Sequence, residues 1–164
     1  MGRARRAGPT VGPYYPVRVR VLAFDLGARR TGVAISDASG TLARPLEVVQ
    51  GPSLKAQWAS LLDVIARVQS DDTALAAIVV GVPHRLDGTA TDFTAKALDF
   101  IERLSRRVPV PVVPLDERLT SVEAESLLAE QEPDWRRRKA RIDAAAAAVL
   151  LQEYLDSRPR TPSA

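Results

Sequence analysis

The segment Val19–Asp37 sets the tightest limits on what this chain can become. After Arg20, the run to Phe24 is apolar at both odd and even positions. A strand that is apolar on both faces must be covered on both faces, which places it in the middle of an α/β sheet. The run ends in Asp25, and a Gly-containing turn leads through Arg29-Arg30-Thr31 into a second strand, Gly32 to Ser36. A carboxylate at the tip of a central strand is held rigidly where ligands of open α/β sheets bind. An Asp before a Gly turn can also do no more than cap its own backbone, so Asp25 alone decides nothing.

The rest of the chain supplies the context. At 164 residues, 46% of them apolar, it can build one domain around one core, expected over residues 17–158. Residues 1–16 carry Arg3, Arg5, Arg6 and several Pro and Gly without periodicity. They read as a disordered basic arm, either solvated or adding phosphate contacts, and residues 159–164 read as a disordered tail. Asp37-Ala-Ser-Gly40 is a turn, and a third strand runs from about Leu42 to Val49 with Pro45 inside it. Ser53 is placed to cap a helix whose apolar face holds Leu54, Trp58, Leu61, Leu62, Ile65 and Val68. Ala76–Gly81 is a second doubly apolar strand, expected to lie parallel to the first by a right-handed crossover. A loop from Val82 to Gly88 and a helix from Thr89 to Arg107 follow. Then comes a short strand, Pro109 to Leu115, with prolines at 111 and 114.

Those prolines order the sheet. A proline cannot donate to a strand ladder, so strands three and five belong at the edges and the proline-free strands one and four inside. With short links joining the first three strands, the predicted order is 3-2-1-4-5, strand two antiparallel to the others, in a five-stranded mixed α/β sheet with helices on both faces. Thr120-Ser-Val-Glu123 is a capping box that starts a short helix, and an alanine-rich helix runs through Ile142-Asp143 to Tyr154.

In this arrangement Asp25, the Gly81 loop and Asp116-Glu117 share one sheet edge, and Asp143 joins them from the last helix. Asp143 sits beside the stripe Ile142, Ala146, Val149 and Leu150, where it is either a metal ligand or the partner of Arg138 or Arg141. The chain has no Cys and a single His, which excludes thiolate and His-rich metal sites and leaves oxygen ligands, suited to Mg²⁺ or Mn²⁺. Carboxylates on rigid elements can hold such ions for phosphodiester hydrolysis. Arg29, Arg30, Arg85 and Arg118 fall on loops near the same edge, where phosphates would approach. The single His84 can contact substrate or assist proton transfer, though a loop His more often does neither. Gly81 and Gly88 are expected to serve turns. The net charge of +3 is a mild bias toward polyanions. No apolar run reaches the ~18 residues of a membrane span, and the basic start lacks the apolar stretch of a signal peptide, so a cytoplasmic protein is expected.

Four blocks in order carry a family resemblance: Phe24-Asp25-Leu-Gly-Ala-Arg-Arg-Thr-Gly-Val-Ala-Ile-Ser-Asp37, Ile78-Val-Val-Gly-Val-Pro-His-Arg-Leu-Asp-Gly88, Asp116-Glu-Arg-Leu-Thr-Ser-Val-Glu-Ala-Glu125, and Arg138-Lys-Ala-Arg-Ile-Asp143 through Gln152. Together they resemble the YqgF/RuvX family. The resemblance implies an RNase H-like fold and a metal-dependent nuclease with Asp25, Glu117 and Asp143 as its acidic triad, both catalytic and metal-binding. It implies nucleic acid as partner, RNA or possibly branched or single-stranded DNA, with 5′-end maturation of pre-16S rRNA as the expected role and Holliday-junction resolution as the alternative. The His84-Arg85-Leu86 stretch and the long basic arm depart from the family pattern. A catalytically weak nucleic-acid-binding adaptor and an ATPase of the actin and sugar-kinase kind are the competing readings. The intact acids count against the adaptor, and the single lobe counts against the ATPase. No dimerisation seam stands out, so a monomer or weak homodimer is expected.

Overall fold

The computed structural model describes residues 19–70, 73–117 and 135–158, with side chains from Ile142 onward in the last stretch. The basic arm, the tail, the helix expected from Thr120 and Arg118 lie outside the described residues. Five strands, β1 (Val19–Asp25), β2 (Arg30–Ser36), β3 (Ala43–Gln50), β4 (Ala74–Pro83) and β5 (Val112–Glu117), form one sheet of order β3-β2-β1-β4-β5. β2 runs antiparallel to both its neighbours, while β4 lies parallel to β1 and β5. This is the order the prolines predicted. On edge strand β3, Pro45 stands opposite Ala34, beside a register shift that takes up the missing donor.

Helices cover both faces. Leu22, Phe24, Val33, Ile35, Ile78 and Val80 point to one side, where α1 (Leu54–Gln69) and α2 (Thr94–Arg107) close the main core. Val21, Ala23, Ala34, Ala77 and Val79 point to the other, under α3 (Trp135–Ser157). The residues toward α3 are small, and α3 answers with Ala147, Leu151 and Leu155, so helix and sheet approach closely. Among the described residues, two helices fill one face and a single alanine-rich helix the other because alternate residues of β1 differ in size: Leu22 and Phe24 against Val21 and Ala23.

Ser53 caps α1 as expected, accepting the Ala56 N–H at 3.1 Å. The buried row of α1 also contains Gln57, a polar residue that the apolar pattern passes over. Its Oε1 accepts from the Thr31 hydroxyl at 2.6 Å, and its Nε2 donates to the Gly27 carbonyl at 3.1 Å. These bonds tie α1 to the turn after Asp25 and satisfy polar groups that burial would otherwise leave unpaired.

Two boundaries differ from expectation. β4 continues through Gly81 to Pro83, so Gly81 is a strand residue and not part of a turn. α2 begins at Thr94 and not at Thr89, because residues 84–90 fold back as a small hairpin. In that hairpin His84 bridges Ala90, the Asp87 carboxylate accepts the Thr89 N–H and hydroxyl, and Gly88 turns at φ 86°. The Thr94 hydroxyl bonds the Pro83 carbonyl, anchoring the start of α2 to the end of β4.

Candidate active site

The pleat decides which groups meet. Odd-numbered residues of β1 and β5 face α3, so Asp25 and Glu117 project into the same space from strands separated by β4. The residue between them is Gly81. A Cβ there would stand 2.7 Å from Glu117 Oε2 and 3.1 Å from Leu150 Cδ2. On the other flank Asp25 pairs in register with Gly32, where a Cβ would overlap the Asp143 carbonyl oxygen. Two glycines thus form the floor. One gives room to the Glu117 carboxylate, and the other lets the α3 backbone settle on the sheet at Asp143. Sequence reasoning missed both roles. Their signal was the alternation itself, since Gly32, Ala34 and Ser36 share a face, as do Ala77, Val79 and Gly81.

Asp143 heads the row Asp143, Ala147, Leu151 and Leu155, spaced four apart, which packs onto the sheet. It therefore lies on the seam and not beside it. Its carboxylate forms an ion pair with Arg30, Nε to Oδ2 3.1 Å, each side chain a little over a quarter exposed. Arg30 opens β2 and is not a loop residue, and its guanidinium is turned to Asp143. The partner of Asp143 comes from β2, a possibility that helix spacing alone did not suggest.

The carboxyls of Asp25 and Glu117 hydrogen-bond to each other. Burial pushes the pKa of Asp25 well above the usual carboxylate range, and the negative charge of Glu117, the hydrogen bond to it and the charge of Asp143 push it further. Burial also raises Glu117, while the hydrogen bond from Asp25 works the other way. The pair shares one proton because two adjacent buried carboxylates cannot both stay charged.

This predicts a pH dependence for the metal-free protein. A folded-state pKa above the unfolded value means that the folded chain holds the extra proton. The resulting stability is full below the unfolded pKa of about 3.9 and is lost as pH rises through the folded value. Asp25→Asn keeps a donor for Glu117 and removes the charging step. In EDTA its melting temperature should exceed that of the parent chain at pH 7.5, and the gap should close toward pH 4. Each unit of pKa displacement is worth about 1.4 kcal/mol, and each kcal/mol ~2–4 °C at this chain length. A gap that is constant with pH, or reversed, contradicts the shared proton.

Asp116, adjacent to Glu117, points to the opposite face. It meets His84, Nδ1 to Oδ1 2.7 Å, and the same nitrogen lies 3.1 Å from the Val82 carbonyl oxygen. The two faces of β5 thus separate its two acids into different environments. Arg29 and Arg85 are exposed at this sheet edge, Arg29 in the β1–β2 turn and Arg85 on the hairpin after β4.

Among the described residues no three potential ligands are drawn together as a ready-made metal set. The donor set nevertheless suits a hard cation: all oxygen, half-buried, with two carboxyls forced to share a proton and a third acid adding to their repulsion. A divalent ion would replace that proton.

The family model described as RuvX, Holliday junction resolvase, matches residues 19–157. The chain belongs to the RuvX family. A relative from Thiobacillus denitrificans, named "Putative pre-16S rRNA nuclease", is 41% identical over 138 residues, covering 84% of this chain and 92% of its own. One of the same name from Desulforudis audaxviator is 36% identical over 140 residues, covering 85% and 96%. Among solved structures, the fowlpox virus Holliday junction resolvase aligns at a TM-score of 0.52 and 12% identity over 84% of this chain and 98% of its own, a likeness of fold. Among the described residues of this RuvX-family chain, no helix is long and apolar enough to cross a membrane.

Proposed function

We propose that this chain is a metal-dependent nuclease that hydrolyses phosphodiester bonds in RNA, acting on the 5′ end of pre-16S rRNA. The observation that carries the reading is the Asp25–Glu117 carboxyl pair, half-buried at the C-terminal edge of β1 and β5 with Asp143 beside it. Membership of the RuvX family and the names of its relatives support the reaction class and the substrate. Asp25, Glu117 and Asp143 are the residues that would hold Mg²⁺ or Mn²⁺. Such ions supply an activated water and charge stabilisation at the leaving oxygen.

The chain's own groups do the rest. The β1 and β5 tips hold two carboxylates in fixed positions, and the glycine floor keeps them close. Arg30 steadies Asp143 through their ion pair, which orients the third acid and offsets its charge. Arg29 and Arg85 stand exposed where the strand's phosphates enter and serve as its positioning cations.

RNA is preferred over a junction because one chain offers one such site. A resolvase needs two matched cuts and so two sites related by symmetry. The test is a cleavage panel with Mg²⁺ or Mn²⁺: labelled single-stranded RNA carrying a 5′-extended 16S end, single-stranded DNA and a four-way junction. The RNA should be cut fastest. Symmetric paired incisions in the junction, with RNA left intact, would reverse the assignment.

A further inference from the structure

On the face opposite α3, a groove of about 490 Å³ opens between the N-terminal half of α1 and α2. Its volume is within the range of sites that take small molecules or single residues of a polymer, ~300–1,000 Å³. Leu54, Trp58 and Phe100 make an apolar floor, with the Trp58 and Phe100 rings edge to face at 5.3 Å. Lys55, Lys96 and Arg103 stand exposed around it against one acid, Asp99. Among the described residues none of the three cations is paired with a carboxylate. The Arg103 guanidinium rests over the Trp58 ring at 4.9 Å, which holds it at the rim.

The groove is tied to the candidate active site. Gln57, next to Trp58, bonds Gly27 in the turn after Asp25. Thr94, next to Ala95 on the groove wall, bonds Pro83, which pairs with Glu117. Both helices therefore begin at the sheet edge where Asp25 and Glu117 lie. The carboxylates face α3 and the groove lies on the opposite face, so a polynucleotide held at those carboxylates would reach it by passing over this edge.

We infer that the α1–α2 groove is a subsite for single-stranded RNA outside the cleavage centre, taking a base on the Trp58 floor and its flanking phosphates on Lys55, Lys96 and Arg103. An apolar floor with a cationic rim fits a flat base joined to phosphate anions. The inference rests on the nuclease reading for the direction from which the strand arrives.

The test uses a fluorescein-labelled single-stranded oligoribonucleotide of about 12 nucleotides, bound to the full chain in EDTA so that affinity is read without cleavage. Lys55→Glu combined with Lys96→Glu should weaken binding about tenfold or more. It should also reduce the slope of log affinity against log salt by about 1.4, at ~0.7 per lost phosphate contact. Trp58→Leu should weaken binding about tenfold with the slope kept, since stacking releases no counterions, and Trp58→Phe should recover part of the loss. Arg44→Glu combined with Arg158→Glu makes the same charge change away from the groove and should do little. Unchanged affinity and slope in the Lys55/Lys96 variant would overturn the inference. So would loss of self-association with RNA binding intact, which would make the groove the seat of a second copy, or a defect confined to an acidic peptide. The two readings fail separately. RNA cleavage by the parent chain with normal binding by the groove variants removes the groove alone. Impaired binding by those variants, with no cleavage by the parent chain under either cation, removes the nuclease alone.

Discussion

Asp25→Asn, Glu117→Gln and Asp143→Asn should each lower RNA cleavage by about 10²–10³-fold while leaving the circular dichroism spectrum unchanged. A bound ion contributes several kcal/mol of transition-state stabilisation, and each 1.4 kcal/mol is about tenfold in rate. Removing a charged ligand from a set of three forfeits much of that. The geometry separates the three variants. Asp25 and Glu117 are in direct contact, so losing either disrupts the same pair. Asp143 approaches the pair from α3 and is steadied by Arg30, so its loss also frees a cation beside the site. Asp25→Asn should be both inactive and more stable at neutral pH in EDTA, because the charge it removes is one that burial opposes. A stabilised, inactive variant is what a strained functional site yields when its demand is relieved. Retention of most activity by any of the three would remove that residue from the proposed chemistry.

Gly32→Ala should cost about 3 kcal/mol, the upper end for forcing atoms into a packed interior, and lower the melting temperature by ~6–12 °C. The added Cβ would overlap the carbonyl oxygen of Asp143, which is backbone and cannot rotate away. The first-order remedy is a displacement of α3, and α3 carries Asp143. Stability and cleavage should therefore fall together, and RNA cleavage should fall further than the fraction unfolded explains. Thermal melting and single-turnover cleavage at a temperature where the variant is fully folded separate the two losses. A variant with unchanged melting and activity would show that α3 does not rest on Gly32.

The sheet was legible because its constraints are local. Pro45, Pro111 and Pro114 cannot sit in central strands, and the doubly apolar runs at β1 and β4 cannot sit at edges, so the order followed without any knowledge of long-range contacts. That Asp25 and Asp116-Glu117 share one edge was legible for the same reason, while the choice of Glu117 over Asp116 came from the family resemblance. Register was not legible, and the site's finer chemistry depends on it. The Arg30–Asp143 pair joins β2 to α3, and the His84–Asp116 pair requires Val82 to stand opposite Asp116. Gly81 looked like a turn residue because Gly commonly ends strands. Its place inside β4 follows from the space Glu117 needs, a demand visible only once both strands are aligned. The late start of α2 has a similar cause. Thr89 looked like a helix start, but Asp87 captures its N–H and hydroxyl in a turn.

The most direct measurement of the central claim is single-turnover cleavage of a 5′-labelled, 5′-extended 16S RNA across a Mn²⁺ titration, with Mg²⁺ and EDTA arms, for the parent chain and Asp25→Asn. No cleavage is expected in EDTA, with saturable cleavage under either divalent cation and near-complete loss in Asp25→Asn at every concentration. Full cleavage in EDTA, or by Asp25→Asn, would contradict that claim.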